Sequence, residues 1–299
     1  MTGDTLTLAL WATDLSPPVT GIPDWVDRVD GRLGEAVEAG ARLMVMPEYV
    51  AEQWLSFKPA GLSPRDEIAW MAEQAPQAVS LLRQRAAERG VALLAGTMPW
   101  QVEDGFRNRA WLLLPDGRDI AQDKLVLTLG ERDPDSWHVT TGDTVEVVEW
   151  AGLRIATLIC LDIEMPALAA RLAREAIDLV LVPSSTGEYS GYYRVFGCAK
   201  ARAVELLTVV AATGGIGAAT GTTQNPTNVS GCAVYLPCEP GLGHDGLHAG
   251  IAPLESDPEG GPLLIARDIP VAAIRALRAG GAQVWPGAWD AGKIRISRS

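Results

Sequence analysis

Three side chains of different chemistry stand at or beside the ends of apolar runs in this 299-residue chain. Cys160 closes Arg154-Ile-Ala-Thr-Leu-Ile-Cys160, Glu48 closes Arg42-Leu-Met-Val-Met-Pro-Glu48, and Lys124 sits in Ala121-Gln-Asp-Lys-Leu-Val-Leu-Thr128. A strand fixes such a group, and the turn that follows exposes its tip near backbone N–H groups. Together the three types suit hydrolysis by a cysteine. The thiolate is the nucleophile, yet a free thiol is mostly protonated at neutral pH. A carboxylate within hydrogen-bond reach, its pKa raised by burial, can take that proton. A nearby ammonium favours the thiolate and then stabilises the oxyanion of the tetrahedral intermediate. Each residue alone also has a plainer reading. Cys160 could be a small buried hydrophobe, Glu48 a surface acid and Lys124 a solvated strand residue. Histidine is the usual base for cysteine, but His138, His244 and His248 stand at no strand end, so the pattern favours a carboxylate.

The elements that must position this trio alternate strand with helix. Strands are expected at Leu6–Trp11, Arg42–Pro47, Val91–Thr97, Arg109–Leu114 and Asp119–Val126 in the first half. The second half offers Thr144–Trp150, Leu153–Ile159, Leu179–Pro183, Thr208–Ala212, Gly231–Leu236, Ala249–Leu254 and Leu263–Asp268. Helical spacing marks Pro23 to Ala39, Pro166–Ala176, Tyr192–Leu206 and Val271–Leu277. Another helix opens at Ser63-Pro-Arg-Asp-Glu67, with an N-cap serine and a first-turn proline, and is expected to break near Ala75-Pro76. The two halves look alike. That suits an α/β chain folded as a four-layer αββα sandwich, two packed mixed sheets with outer helices. The expected organisation is one domain over residues 1–280 and a C-terminal tail over 281–299.

Composition narrows the function classes. The net charge of −12 repels a phosphate backbone, and no Lys/Arg cluster overrides it, so no nucleic-acid partner is expected. No apolar run reaches the roughly 18 residues of a spanning helix, and the N-terminus lacks a secretory pattern, so neither a membrane partner nor secretion is expected. Cys160, Cys198, Cys232 and Cys238 are too scattered for a disulfide framework, and a reducing cytoplasm is the expected setting. Cys232-x5-Cys238 with His244-x3-His248 is a poor zinc pattern, because the cysteine gap is wide and the intervening residues read as a strand. Gly214-Gly-Ile-Gly217 lacks the dinucleotide fingerprint and a following helix.

The order Glu48, Lys124, Cys160 in these contexts resembles the nitrilase superfamily of carbon–nitrogen hydrolases. The matching segments are Met44-Val-Met-Pro-Glu-Tyr49, Asp123-Lys-Leu-Val-Leu-Thr128 and Leu158-Ile-Cys-Leu-Asp-Ile-Glu-Met-Pro166. Supporting matches are Leu6-Thr-Leu-Ala-Leu10, Gly105-Phe-Arg-Asn-Arg109, Asp178-Leu-Val-Leu-Val-Pro-Ser184 and Ala199-Lys-Ala-Arg-Ala203 with Glu205. The resemblance spans about residues 5–270. It implies an αββα sandwich that pairs into a homodimer or higher oligomer, a thioester intermediate, and no metal or organic cofactor. It also implies Cys160 as nucleophile, Glu48 as general base, Lys124 and the Leu161 backbone N–H as oxyanion donors, and Glu131 positioning substrate and holding Lys124.

Within that resemblance, Leu161-Asp162 after the cysteine resembles the amidase-type branches rather than the Trp-Glu pair of true nitrilases. The expected substrate is a small amide, with a nitrile, or an amine acceptor in place of water, as alternatives. Candidate pocket residues after strand ends are Tyr49, Trp54, Trp137, Ser184, Ser185 and Tyr189; the alternative for each is loop packing or a subunit interface. Arg132 and Arg194 are candidates for a substrate carboxylate. The face of Tyr192–Leu206, or the tail with Trp285 and Trp289, is a candidate dimer contact.

Overall fold

Successive side chains on a strand point to opposite faces, and this chain uses both faces. The strands are β1 (Leu6–Trp11), β2 (Leu43–Val45), β3 (Ala92–Val102), β4 (Gly105–Leu113), β5 (Asp119–Asp123), β6 (Val147–Trp150), β7 (Leu153–Thr157), β8 (Leu179–Ser184), β9 (Val209–Gly214), β10 (Ser230–Tyr235), β11 (Leu247–Leu254) and β12 (Leu263–Ile269). The helices are α1 (Ile22–Glu38), α2 (Pro64–Arg89), α3 (Leu129–Arg132), α4 (Pro166–Leu172), α5 (Tyr189–Leu206) and α6 (Val271–Ala279), with short 3-10 helices at Val50–Phe57 and Cys160–Glu164. A computed structural model describes residues 5–283, 289 and 291–298 of the chain.

Two six-stranded sheets form, ordered β12-β1-β2-β3-β4-β5 and β11-β10-β9-β8-β7-β6. Each is mixed, as expected: β1-β2-β3 and β7-β8-β9 are parallel, and the flanking strands pair antiparallel. Alternation divides the first sheet between two cores. Leu8 and Leu10 of β1, Leu43 and Val45 of β2, and Leu94 of β3 face the layer shared with Ile155, Leu179 and Leu181 of the second sheet. Ala9, Met44 and Leu93 point the other way, onto Trp25, Val29 and Leu33 of α1 and Met71, Val79 and Leu82 of α2. On the other side, α5 covers β9 and β10. The result is the αββα sandwich expected from the pattern.

The differences from expectation lie at element ends and interruptions. The expected break at Pro76 is absent, and α2 runs through it. Its buried stripe, Met71, Ala75, Ala78, Val79 and Leu82, continues across the proline, and this packing overrides the missing hydrogen bond. The strand before Cys160 stops at Thr157. On α5, Tyr193 is 64% exposed whereas Val195, Phe196 and Ala199 are buried, so any partner surface there is confined to part of the expected face. Trp289 is exposed, and Trp285 lies outside the described residues. No helix among the described residues is long and apolar enough to cross a membrane.

Gly96 makes the path to Glu48 possible. The β3–β4 register shifts between Leu94 and Thr97, and Gly96 adopts φ +64° there. A Cβ on Gly96 would lie 2.2 Å from the Pro47 carbonyl oxygen. The same carbonyl accepts from the Thr97 N–H at 3.2 Å, and Thr97 Oγ1 accepts from the Tyr49 N–H at 2.9 Å. Gly96→Ala is therefore expected to cost about 2 kcal/mol or more through backbone strain and steric conflict, read as a lowered midpoint in chemical denaturation.

Candidate active site

One edge of the sandwich collects the trio. β5 is antiparallel to β4, which is antiparallel to β3, so β5 runs in the direction of β2. Glu48 follows β2, Lys124 directly follows β5, and Cys160 follows β7 in the other sheet. Main-chain bonds join the sheets at this edge: Glu48 N–H to the Ser184 carbonyl at 3.2 Å and Leu15 N–H to the Ile216 carbonyl at 2.9 Å.

The centre of the site is an ion triplet. Lys124 Nζ donates to Glu48 Oε1 and to Glu131 Oε2, each at 2.7 Å, with Lys124 and Glu48 1% exposed. Asn108 Nδ2 donates to Glu48 Oε1 at 2.8 Å and Glu131 Oε1 at 3.1 Å, bridging the two acids from β4. Tyr49 Oη donates to Glu131 Oε1 at 2.7 Å, and the Ser185 N–H donates to Glu48 Oε2 at 2.8 Å. Glu131 also caps α3: its Oε2 accepts from the Thr128 N–H at 2.9 Å. Thr128-x-x-Glu131 is a capping-box spacing, so one carboxylate ends a helix and holds the lysine.

Cys160 sits on an elbow. Its φ is +48°, in the left-handed region that non-glycine residues rarely occupy. Its Sγ lies 3.6 Å from the Ser185 carbonyl. Asp162 holds the elbow in place, accepting from the Ile159 N–H at 3.0 Å, the Leu125 N–H at 3.1 Å and the Val126 N–H at 2.8 Å. It thus ties the cysteine turn to the segment that carries Lys124.

Electrostatics set the resting protonation of these groups. Burial pushes the Glu48 carboxyl above the usual carboxylate range, Lys124 opposing and Glu131 reinforcing the shift. Glu131 is held below that range, because Lys124 and the hydrogen bonds from Lys124, Tyr49 and Thr128 outweigh burial. Burial opposes charge on Lys124, but the two carboxylates outweigh it and keep the ammonium protonated. Burial and the Glu48 charge push the Cys160 thiol well above its ordinary value, against the pull of Lys124. One ammonium faces two acids, so it does not leave a standing thiolate.

Cys160, Glu48, Lys124 and Glu131 meet around a cavity of about 170 Å³, and Tyr49, Trp137 and Ser185 line it with them. Tyr49 and Trp137 pack with ring centroids 4.9 Å apart. Three expected pocket residues do not line it. Trp54 is fully buried against Trp25, its 3-10 helix having turned it into the helix layer. Ser184 points back into the sheet and donates to the Thr213 carbonyl. Tyr189 opens α5 at a neighbouring groove. Arg194 pairs with Glu164 at 3.4 Å, and neither it nor Arg132 reaches the cavity. The expectation did not include Asn108, Ser136, Gln224 and Asn225; Ser136, Gln224 and Asn225 line the cavity itself. Cys232 is buried in β10 beside Thr213, and no group of three or more His, Cys, Asp or Glu among the described residues could hold a metal ion.

Two outcomes are expected. Ultraviolet thiolate absorbance at neutral pH will show no difference between wild type and Cys160→Ser, because the thiol is neutral at rest. Asp162→Ala will cost about 1–3 kcal/mol by stranding buried amides, measured by denaturant unfolding.

Known proteins supply a context for this geometry. The family model described as carbon-nitrogen hydrolase matches residues 8–249. The chain is 30% identical over 234 residues to hydrolase Rv0480c of Mycobacterium tuberculosis (strain ATCC 25618 / H37Rv), covering 74% of this chain and 78% of that protein. It is 28% identical over 224 residues to the probable hydrolase YhcX of Bacillus subtilis (strain 168); the match covers 75% of this chain but spans less than half, 43%, of that relative. Among solved structures, a mutant of the amidase from Nesterenkonia sp. AN1 in complex with butyramide superposes with a TM-score of 0.68 at 24% identity, covering 93% of this chain and 96% of that one. That likeness is one of fold. The family match over most of the chain makes this protein a member of the carbon–nitrogen hydrolase family.

Proposed function

We propose that the protein is an amidase that hydrolyses small, uncharged amides through a thioester on Cys160. The observation that carries this reading is the Lys124 ammonium, 2.7 Å from both Glu48 and Glu131, in the same cavity as a cysteine on a left-handed elbow.

Cys160 attacks the amide carbonyl carbon while its thiol proton passes to Glu48, whose raised pKa makes it a better acceptor. The C=O pair moves onto oxygen. Lys124 has three N–H donors and the two acids occupy two of them, which leaves one for the oxyanion. The second donor is the N–H of Leu161, the second residue of its 3-10 helix and so without an intrahelical acceptor. Collapse breaks the C–N bond, and Glu48 returns the proton to the departing nitrogen. Water then gives a proton to Glu48 and attacks the thioester. The acid leaves, and the sulfur takes its proton back from Glu48.

The cavity supports the substrate class. At about 170 Å³ it is far below the roughly 300–1,000 Å³ of sites for drug-sized ligands. Lys124 is the one cation among its described lining residues, and both its partners are acids. A substrate carboxylate would meet no available counter-charge. The butyramide complex of the Nesterenkonia amidase supports the same class.

The test is ammonia release from neutral aliphatic amides, amides bearing a carboxylate, and matching nitriles. Wild type is expected to release ammonia from the first group, and Cys160→Ala from none. Lys124→Ala is expected to lose on the order of 10²–10³ in rate or more, and stability too, since two buried acids are left facing each other. Near-normal turnover by Cys160→Ala would overturn the reading.

A further inference from the structure

The connection 215–229 between β9 and β10 has no regular structure apart from one bridge, Asp14 to Ile216, yet it is firmly held at the mouth of the site. Gln224 and Asn225 from this strap line the 170 Å³ cavity. The Ser136 hydroxyl, also in the lining, donates to Gln224 Oε1. Two carboxylates that do not line the cavity anchor the strap, and both are fully buried. Glu52, on the 3-10 helix directly after Glu48 and Tyr49, accepts from Asn225 Nδ2 and, at 3.2 Å, from Thr222 Oγ1. Glu67, in the first turn of α2, pairs with Lys58 and accepts from Thr223 Oγ1 at 2.7 Å. Lys58 Nζ in turn donates to the Gly221 carbonyl. Gly221 lies against the same 3-10 helix, where a Cβ would fall 2.8 Å from the Leu55 carbonyl.

Such anchoring is costly. A buried carboxyl is stabilised only by the groups that bond it, and here those groups are strap residues and, for Glu67, Lys58, which itself bonds the strap. The two acids thus fix where Gln224 and Asn225 stand relative to Cys160. We propose that Gln224 and Asn225 are the specificity-determining residues of this site, a cap that limits the size of the acyl group. Glu52 is the positioning residue that holds the cap, and Glu67 is a second anchor. The substrate side of this inference rests on the amidase reading above.

Burial, with Glu48 and Glu67 adding to it, pushes the Glu52 carboxyl up to about 8, so it is largely neutral at neutral pH. A glutamine is then a close mimic, able to accept from Asn225 and donate to Thr222. Alanine removes the acceptor of both the Asn225 amide and the Thr222 hydroxyl.

The experiment uses the full-length protein and two readouts. The first is the ratio of kcat/KM for octanamide to that for butyramide. The second needs no turnover: the ratio of alkylation rates at Cys160 for N-phenyl iodoacetamide and iodoacetamide, followed by peptide mass spectrometry. Gln224→Ala, Asn225→Ala and Glu52→Ala are expected to raise both ratios by about tenfold or more, while Glu52→Gln keeps them near wild type. Should Glu52→Ala fail to fold, the two strap variants, at half-buried positions, still decide the matter. Unchanged ratios in Gln224→Ala and Asn225→Ala would overturn the cap. Equal slowing of both probes by a folded Glu52→Ala would reduce Glu52 to a structural residue and overturn its positioning role. If no amide is hydrolysed but the alkylation ratio shifts as expected, the amidase reading fails and the cap stands.

Discussion

The site depends on one buried charge arrangement, an ammonium held between two carboxylates. Lys124 is 1% exposed, and desolvation alone would strip its proton. Glu48 and Glu131 prevent that, and Lys124 prevents the two acids from repelling each other. Removing Lys124 leaves two buried acids without a counter-charge, which is far costlier than losing a surface ion pair. Much of the surrounding architecture serves the triplet. Asn108 bridges the acids, Tyr49 and Thr128 orient Glu131, and the Ser185 amide orients Glu48.

The triplet also determines what the cysteine can be. With two acids against one ammonium, Cys160 rests as a thiol, and in the proposed mechanism it loses its proton during attack, not before it. On that proposal the base is indispensable in a way it would not be beside a preformed thiolate. The strained elbow at Cys160 is tolerable because Asp162 takes up three backbone amides around it. That carboxylate joins β7's end to β5's end, so Cys160 and Lys124 share one support across the two sheets.

The fold was largely legible because burial leaves a periodic trace. Two-residue alternation in β1 and β3 reports two separate cores, and apolar runs in β7 and β8 report a strand covered on both sides. Pro76 misled because local propensity is weaker than a buried stripe that runs on either side of it. Of the site, Glu48, Lys124 and Cys160 were visible as chemistry placed at strand ends. Asn108 was not, since one polar residue between two arginines on β4 carries no sign of which face is buried. Trp54 and Tyr189 were misplaced because a strand end says that a turn follows, not where the turn points.

The sequence by itself determined the element order, the layer assignment and the identity of three titratable groups beside strand ends, because these follow from period, propensity and residue type, all of which are local. Tertiary structure decided what those groups are to one another. It set the thiol's resting protonation, the twin roles of Glu131, and the placing of Gln224 and Asn225 beside Cys160. Desolvation and Coulomb interaction depend on distances between segments far apart in the chain, and no local pattern encodes them.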